Sequence, residues 1–156
     1  MKLSILKYLN KMVSKSLNPE MTTHLQYPTP ISQTLGMNIE EIGLGTATVS
    51  INTKKELHAN QQGTTHGGLI SELADASIGT AHSTFIEEGQ SFTSIELKIN
   101  FYRPVFDDVL MAKAKPLQKG KNVSHYICEI TNKEGKMVAV ATSTVMTLYG
   151  ERAIGR

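Results

Sequence analysis

A chain of 156 residues is long enough for one domain with a proper core, and no break in composition marks a second. Its 40% apolar and 19% charged residues are ordinary for a globular protein, and a formal net charge of +2 with scattered lysines argues against nucleic acid as a partner. No apolar run approaches the roughly 20 residues that span a bilayer, so no membrane partner is expected. The single Cys128 excludes a disulfide within the chain and suits a reducing, cytoplasmic setting; its strand-like surroundings predict a buried structural thiol. With one Cys and no dense His cluster, neither a metal nor an organic cofactor is expected.

In chain order, Leu3, Leu6, Leu9, Met12, Val13 and Leu17 recur at helical spacing, interrupted by Lys2, Lys7, Lys11 and Lys15. The pattern is no targeting segment; it reads as an amphipathic helix packed on its own domain or on a partner chain, in preference to one lying on a membrane surface. Asn18-Pro19 ends it, and Tyr27-Pro28-Thr29-Pro30 reads as an extended linker. Residues 31–35 can form one turn of helix before Gly36, and residues 37–52 are strand-like. A polar loop over 53–65 leads into a helix predicted over residues 67–87, with Gly89 as its C-cap. Small residues (Ala74, Ala76, Gly79, Thr80, Ala81) keep that helix slim, as in one wrapped closely by other elements.

Everything beyond is strand-like. Thr93, Ile95, Leu97, Ile99 and Phe101 alternate with Ser94, Glu96, Lys98 and Asn100. Further strands are expected over 109–117, 123–131 and 137–148, joined by a turn at Lys119-Gly120-Lys121-Asn122 and another at Lys133-Glu134-Gly135-Lys136. One long helix followed by hairpin-linked strands predicts an α+β domain with an antiparallel sheet.

The chemistry concentrates in residues 60–75. There a glycine-bearing turn runs into His66-Gly67-Gly68, and Asp75 lies two turns into the helix that follows. Gly67 and Gly68 fall where a helix has unpaired backbone N–H groups and the positive end of its dipole. With no side chain at Gly67, a ligand oxygen can approach that amide closely. A bare helix N-terminus stabilises an oxyanion and an embedded carboxylate serves as base or nucleophile, so the pair suggests acyl-transfer chemistry. The plainer readings are a tight loop-to-helix junction at Gly67-Gly68, an ordinary capping His66, and an Asp75 satisfied by backbone or a hydroxyl.

These residues resemble the hotdog-fold thioesterases, most closely the phenylacetate-pathway (PaaI-like) acyl-CoA thioesterases. The resemblance rests on Asn60, Gly63, His66-Gly67-Gly68 and Asp75, and on the later strand from Ser94 to Arg103-Pro104; it covers residues 34–148. It implies a hotdog domain over 34–150, an antiparallel sheet wrapped around a long central helix, preceded by a helical extension and linker over 1–33. It also implies hydrolysis of an acyl-CoA thioester. In that reading the Gly67 N–H polarises the carbonyl, Asn60 and His66 shape that side of the site, and Gly68 lies against the substrate. Asp75 is then the general base or the nucleophile. In some members a Ser or Thr at the position of Ser94 places the water, although strict alternation turns Ser94 away from Ile95 and Leu97 unless a bulge intervenes. Glu72 is a second acid near the helix start, ranked behind Asp75 because Asp75 matches the motif spacing and has more apolar neighbours. Gly120 and Lys121 read first as a solvated hairpin; the resemblance puts this turn near the nucleotide end of coenzyme A.

At 1.5 Å rise per residue, Gly67 and Asp75 stand about 12 Å apart along one helix, too far to serve one thioester together. A two-fold pair of chains removes the difficulty, and the resemblance implies a homodimer or a dimer of dimers with shared sites. Two other functions compete. A hotdog dehydratase of 3-hydroxyacyl thioesters usually has a Pro-rich stretch after its histidine, which is missing around His66. An acyl-thioester sensor would carry a DNA-binding domain, for which 33 residues with one helix pattern leave no room. The acyl group itself stays open between phenylacetyl-type, medium-chain and naphthoyl-type.

Overall fold

The computed structural model describes residues 1–155. Strands β1 (Asn38–Gly43), β2 (Thr46–Thr53), β3 (Gln90–Phe101), β4 (Asp108–Lys119), β5 (Val123–Thr131) and β6 (Met137–Tyr149) form one antiparallel sheet in the order β1-β2-β4-β5-β6-β3. The helices are α1 (Ile5–Val13), α2 (Pro30–Leu35), the short α3 (Lys55–His58) and α4 (Gly67–Ser83). Helix α4 lies across the inner face of the sheet, and this is the wrapped central helix expected of an α+β hotdog domain.

The core follows from matched small and branched residues. Leu73, Ala74, Ile78 and Ala81 of α4 are fully buried against Val49, Ile51, Leu110, Ala112 and Ala141 of the strands. Alanine at the sheet positions lets the helix backbone come close. The Ser77 hydroxyl uses that closeness, donating to the Ala112 carbonyl at 2.9 Å and lying 3.3 Å from that of Ala47. Cys128 is buried in β5, and burial first, with Glu129 adding to it, holds its thiol at about 12.

Four expectations change in detail. Helix α4 ends at Ser83 with Thr84 as its C-cap; Gly89, at φ 82°, turns the chain into β3 instead. The segment read as a polar loop over 53–65 contains α3, whose side is closed by a Lys54 N–H bond to His58 Nδ1. The period predicted for residues 93–101 is interrupted, because the register with β6 slips between Ser94 and Glu96. Its apolar residues form only a partial inner face: Leu97 and Ile99 pack against the core, whereas in this outermost strand Ile95 is 54% and Phe101 49% exposed. The N-terminal helix packs on its own domain, burying Ile5 and Leu9 with Ile86 and leaving Lys7 outside. No helix among the described residues is long and apolar enough to cross a membrane.

His82, which no sequence pattern singles out, lies buried between helix and sheet. Its Nδ1 is 3.0 Å from the Tyr126 hydroxyl and its Nε2 3.0 Å from Thr147 Oγ1, with the Phe85 and Phe92 rings edge-on. Burial, then the nearby Lys119 charge, lowers it from 6.5 to about 4. The unfolded chain therefore takes up this proton near pH 6.5, whereas the folded chain refuses it until about pH 4. Stability should be level above pH 7 and fall as pH drops through that window, by up to roughly 3 kcal/mol from this group. Urea unfolding midpoints between pH 7.5 and 4.5 test this (about three pH units); a midpoint that does not move, or a His82→Gln chain with the same slope, would contradict it.

Candidate active site

The N-terminus of α4 is held by its own cap. His66, in extended conformation, accepts the Gly68 N–H on Nδ1 at 2.9 Å, and its backbone N–H donates to the His58 carbonyl at 2.8 Å. A Cβ at Gly68 would sit 2.9 Å from that nitrogen, so the cap requires glycine there. The plain reading of His66 as a capping residue therefore holds, and the Gly68 amide is occupied. The Gly67 N–H has no acceptor among the described residues. Phe101 lies over Gly67, its Cζ 3.0 Å from where a Cβ would be.

Asn60 sits in the preceding turn. Its Oδ1 accepts the Gln62 N–H at 2.9 Å and the Thr64 N–H at 3.2 Å, which fixes the side chain and leaves Nδ2 as a donor. The Thr65 N–H donates to the Val105 carbonyl at 2.7 Å, tying this turn to the segment after β3. Asn60, Gly67 and Ile70 thus face Phe101 and Arg103 across one cleft.

Asp75 belongs to a different cleft, with Gly68, Ser71, Glu72, Ser94 and Ile95. The bulge at Ile95 resolves the question raised by the strand pattern. Ser94 pairs with Val145 and Glu96 with Thr144, so Ile95 is the extra residue and Ser94 turns toward the helix. Its hydroxyl donates to Asp75 Oδ1 at 3.1 Å. Glu72, one turn before Asp75, is partly buried; that burial and, second, the Asp75 charge push its carboxyl above the ordinary value.

One chain therefore does not bring all the predicted residues together. Asn60 and Gly67 share one cleft, Asp75 and Ser94 another, and Gly120 and Lys121 lie at the far end of α4. There the Lys119 ammonium stands 5.0 Å over the Phe85 ring, and Lys121 is held through its carbonyl by the Tyr149 hydroxyl at 2.7 Å. A Cβ at Gly120 would be 2.1 Å from the Val123 oxygen, so the turn itself demands this glycine. No group of three or more His, Cys, Asp or Glu able to hold a metal occurs among the described residues. A further cavity, between α4 and the N-terminal extension, has no signal in the sequence beyond the slim Ala76 and Gly79.

The Thioesterase superfamily profile matches residues 62–139, half of the chain, and spans both clefts' helix and strands. A protein of Archaeoglobus fulgidus is 29% identical over 147 residues, covering 93% of each chain. Acyl-coenzyme A thioesterase 13 of Mus musculus is 33% identical over 92 residues, 58% of this chain and 65% of that one. Among solved structures, the Escherichia coli PaaI protein of the phenylacetic acid degradation operon superposes with a TM-score of 0.74. It is 25% identical, over 95% of this chain and 97% of that one. With its six-stranded sheet around one buried helix and this match, the chain belongs to the Thioesterase superfamily and has its hotdog fold.

Proposed function

We propose that this protein hydrolyses an acyl-CoA thioester to the free acid and coenzyme A, with Asp75 as general base in sites shared between two chains. The observation that carries the reading is Ser94 Oγ at 3.1 Å from a half-buried Asp75, reached only through a bulge that costs β3 one pairing. A hydroxyl and a carboxylate side by side give an attacking water two partners. Water adds to the thioester carbonyl carbon while its proton passes to Asp75. The oxygen becomes an oxyanion facing the free Gly67 N–H, with Asn60 Nδ2 close by, at the positive end of α4. The tetrahedral species collapses, the C–S bond breaks, and the thiolate takes the proton back from Asp75.

Gly67 and Asp75 of one helix are about 12 Å apart, so the two halves of this reaction come from different chains. The outermost β3, with Ile95 and Phe101 exposed, supports a homodimer in which two β3 edges meet antiparallel, with a dimer of dimers as its extension. In that assembly the Gly120-Lys121 turn is free to meet a nucleotide phosphate. The reaction needs no metal or organic cofactor. The buried free thiol of Cys128 fits a cytoplasmic location.

Asp75→Asn keeps the shape of the side chain and removes the base, so thiol release from acyl-CoA, followed with a thiol-reactive dye, should fall by about 10²–10⁴ in kcat. Near-normal turnover, with Glu72→Gln inactive instead, would transfer the role to Glu72. A second experiment addresses sharing. Chains carrying Asp75→Ala and chains carrying Asn60→Ala, each inactive alone, are co-expressed; a mixed dimer then holds one doubly defective and one intact site. Random pairing should return about a quarter of wild-type activity. Mixed dimers confirmed by mass yet inactive would sink the shared site.

A further inference from the structure

A cavity of about 670 Å³ lies between α4 and the N-terminal extension. This is the size of a pocket for a whole small-molecule ligand, more than a two-carbon or single-ring acyl group fills. Asp75 and Glu72 line both this cavity and the cleft that holds Ser94, so the cavity opens at the proposed base. From Asp75 it follows α4 past Ala76 and Gly79 to Thr80, about 7.5 Å along the axis. Gly79 leaves room that packing does not require: a Cβ there would meet Phe92 only at 3.7 Å, an ordinary contact. At the Thr80 end stands Tyr27, its hydroxyl donating to Ser83 Oγ at 2.7 Å.

The opposite wall is the extension itself, through Met12, Val13, Tyr27 and Ile31. It is a fixed wall. Ile5 and Leu9 are 1% and 0% exposed and anchor α1 beside Ile86, in a cluster that includes Phe92 of the cavity. Helix α1 is capped by Ser4, and Lys2 pairs with Glu88 beyond α4. These residues precede the segment matched by the superfamily profile, which begins at residue 62. Its charges also select. Glu40, Glu72 and Asp75 border the cavity, whereas its only cation, Lys15, is exposed at the end of α1, which disfavours acyl groups with a second carboxylate.

We propose that residues 12–32 form the specificity wall of the acyl site, that the group it accepts is an apolar acyl chain of medium length, and that Met12 and Tyr27 set that length. This rests on the reading of Asp75 as the hydrolytic base. Two series test it: kcat/KM for saturated acyl-CoA substrates from acetyl to palmitoyl, with phenylacetyl-CoA beside them, and calorimetric binding of the matching non-hydrolysable S-alkyl-CoA thioethers. Wild type should peak at medium chains in both. Met12→Trp, which fills the cavity from the extension, should lower the medium-chain to acetyl ratio about tenfold or more, and Met12→Ala should move the peak to longer chains. Gly79→Leu fills the same space from α4 and should act like Met12→Trp, which keeps the test informative if one variant folds poorly.

Profiles of both Met12 variants that superimpose on wild type would overturn the wall, as would a wild-type preference for acetyl-CoA or phenylacetyl-CoA. The thioether series separates this from the hydrolase reading. Binding that depends on chain length in a wild type with no turnover would overturn hydrolysis and support the wall. Turnover with thioether binding indifferent to length would do the reverse.

Discussion

Helix α4 lies so close to the sheet that a serine hydroxyl from its buried face reaches the carbonyls of two strands, Ala47 on β2 and Ala112 on β4. The approach depends on small residues from both sides, Ala74, Ser77 and Ala81 against Ala47, Ala112 and Ala141, all buried. Close packing of this kind leaves the helix no freedom to shift or tilt. The 1.5 Å rise then becomes a rigid ruler on which the free amide of Gly67 and the carboxylate of Asp75 are held about 12 Å apart. That separation matches the two distinct clefts that hold them in one chain.

At the start of that helix, several polar groups are either paired or left where a ligand can use them. His66 takes the Gly68 amide and so leaves Gly67 as the exposed donor. Asn60 spends its oxygen on the turn and keeps its amide nitrogen. Burial first, and then the Asp75 charge, raises the Glu72 carboxyl above its ordinary value. The bulge at Ile95 gives up one ladder pairing and in return puts a hydroxyl beside Asp75. Losing a pairing in an outer strand is a small cost, since that edge has unpaired groups in any case.

The N-terminal extension changes the character of the site. Without it, the α4 face at Ala76, Gly79 and Thr80 would be an open groove beside the acid. With α1 docked through Ile5 and Leu9, the groove becomes a chamber that ends on Tyr27. The N-terminal segment thus closes one side of the cavity that Asp75 and Glu72 line.

Much of this was legible in the chain itself. Helical spacing read over residues 67–87, alternation in the later strands, and turn residues at Gly120 and Gly135 specify the α+β class, because short-range periodicity reports directly which face of each element meets the core. Motif spacing picked out Asn60, Gly67 and Asp75, and the helix rise alone separated two of them. Tertiary structure decided the rest. No local pattern announces that Ile95 bulges and turns Ser94 to Asp75, since register is set by pairing with β6, some 50 residues away. Nor could Ile95 and Phe101 be known as exposed, because an edge strand and an inner strand share the same alternation. His82, buried between Tyr126 and Thr147, and the chamber between α1 and α4 exist only where distant segments meet, and burial is a property of that meeting rather than of any residue's neighbours in sequence.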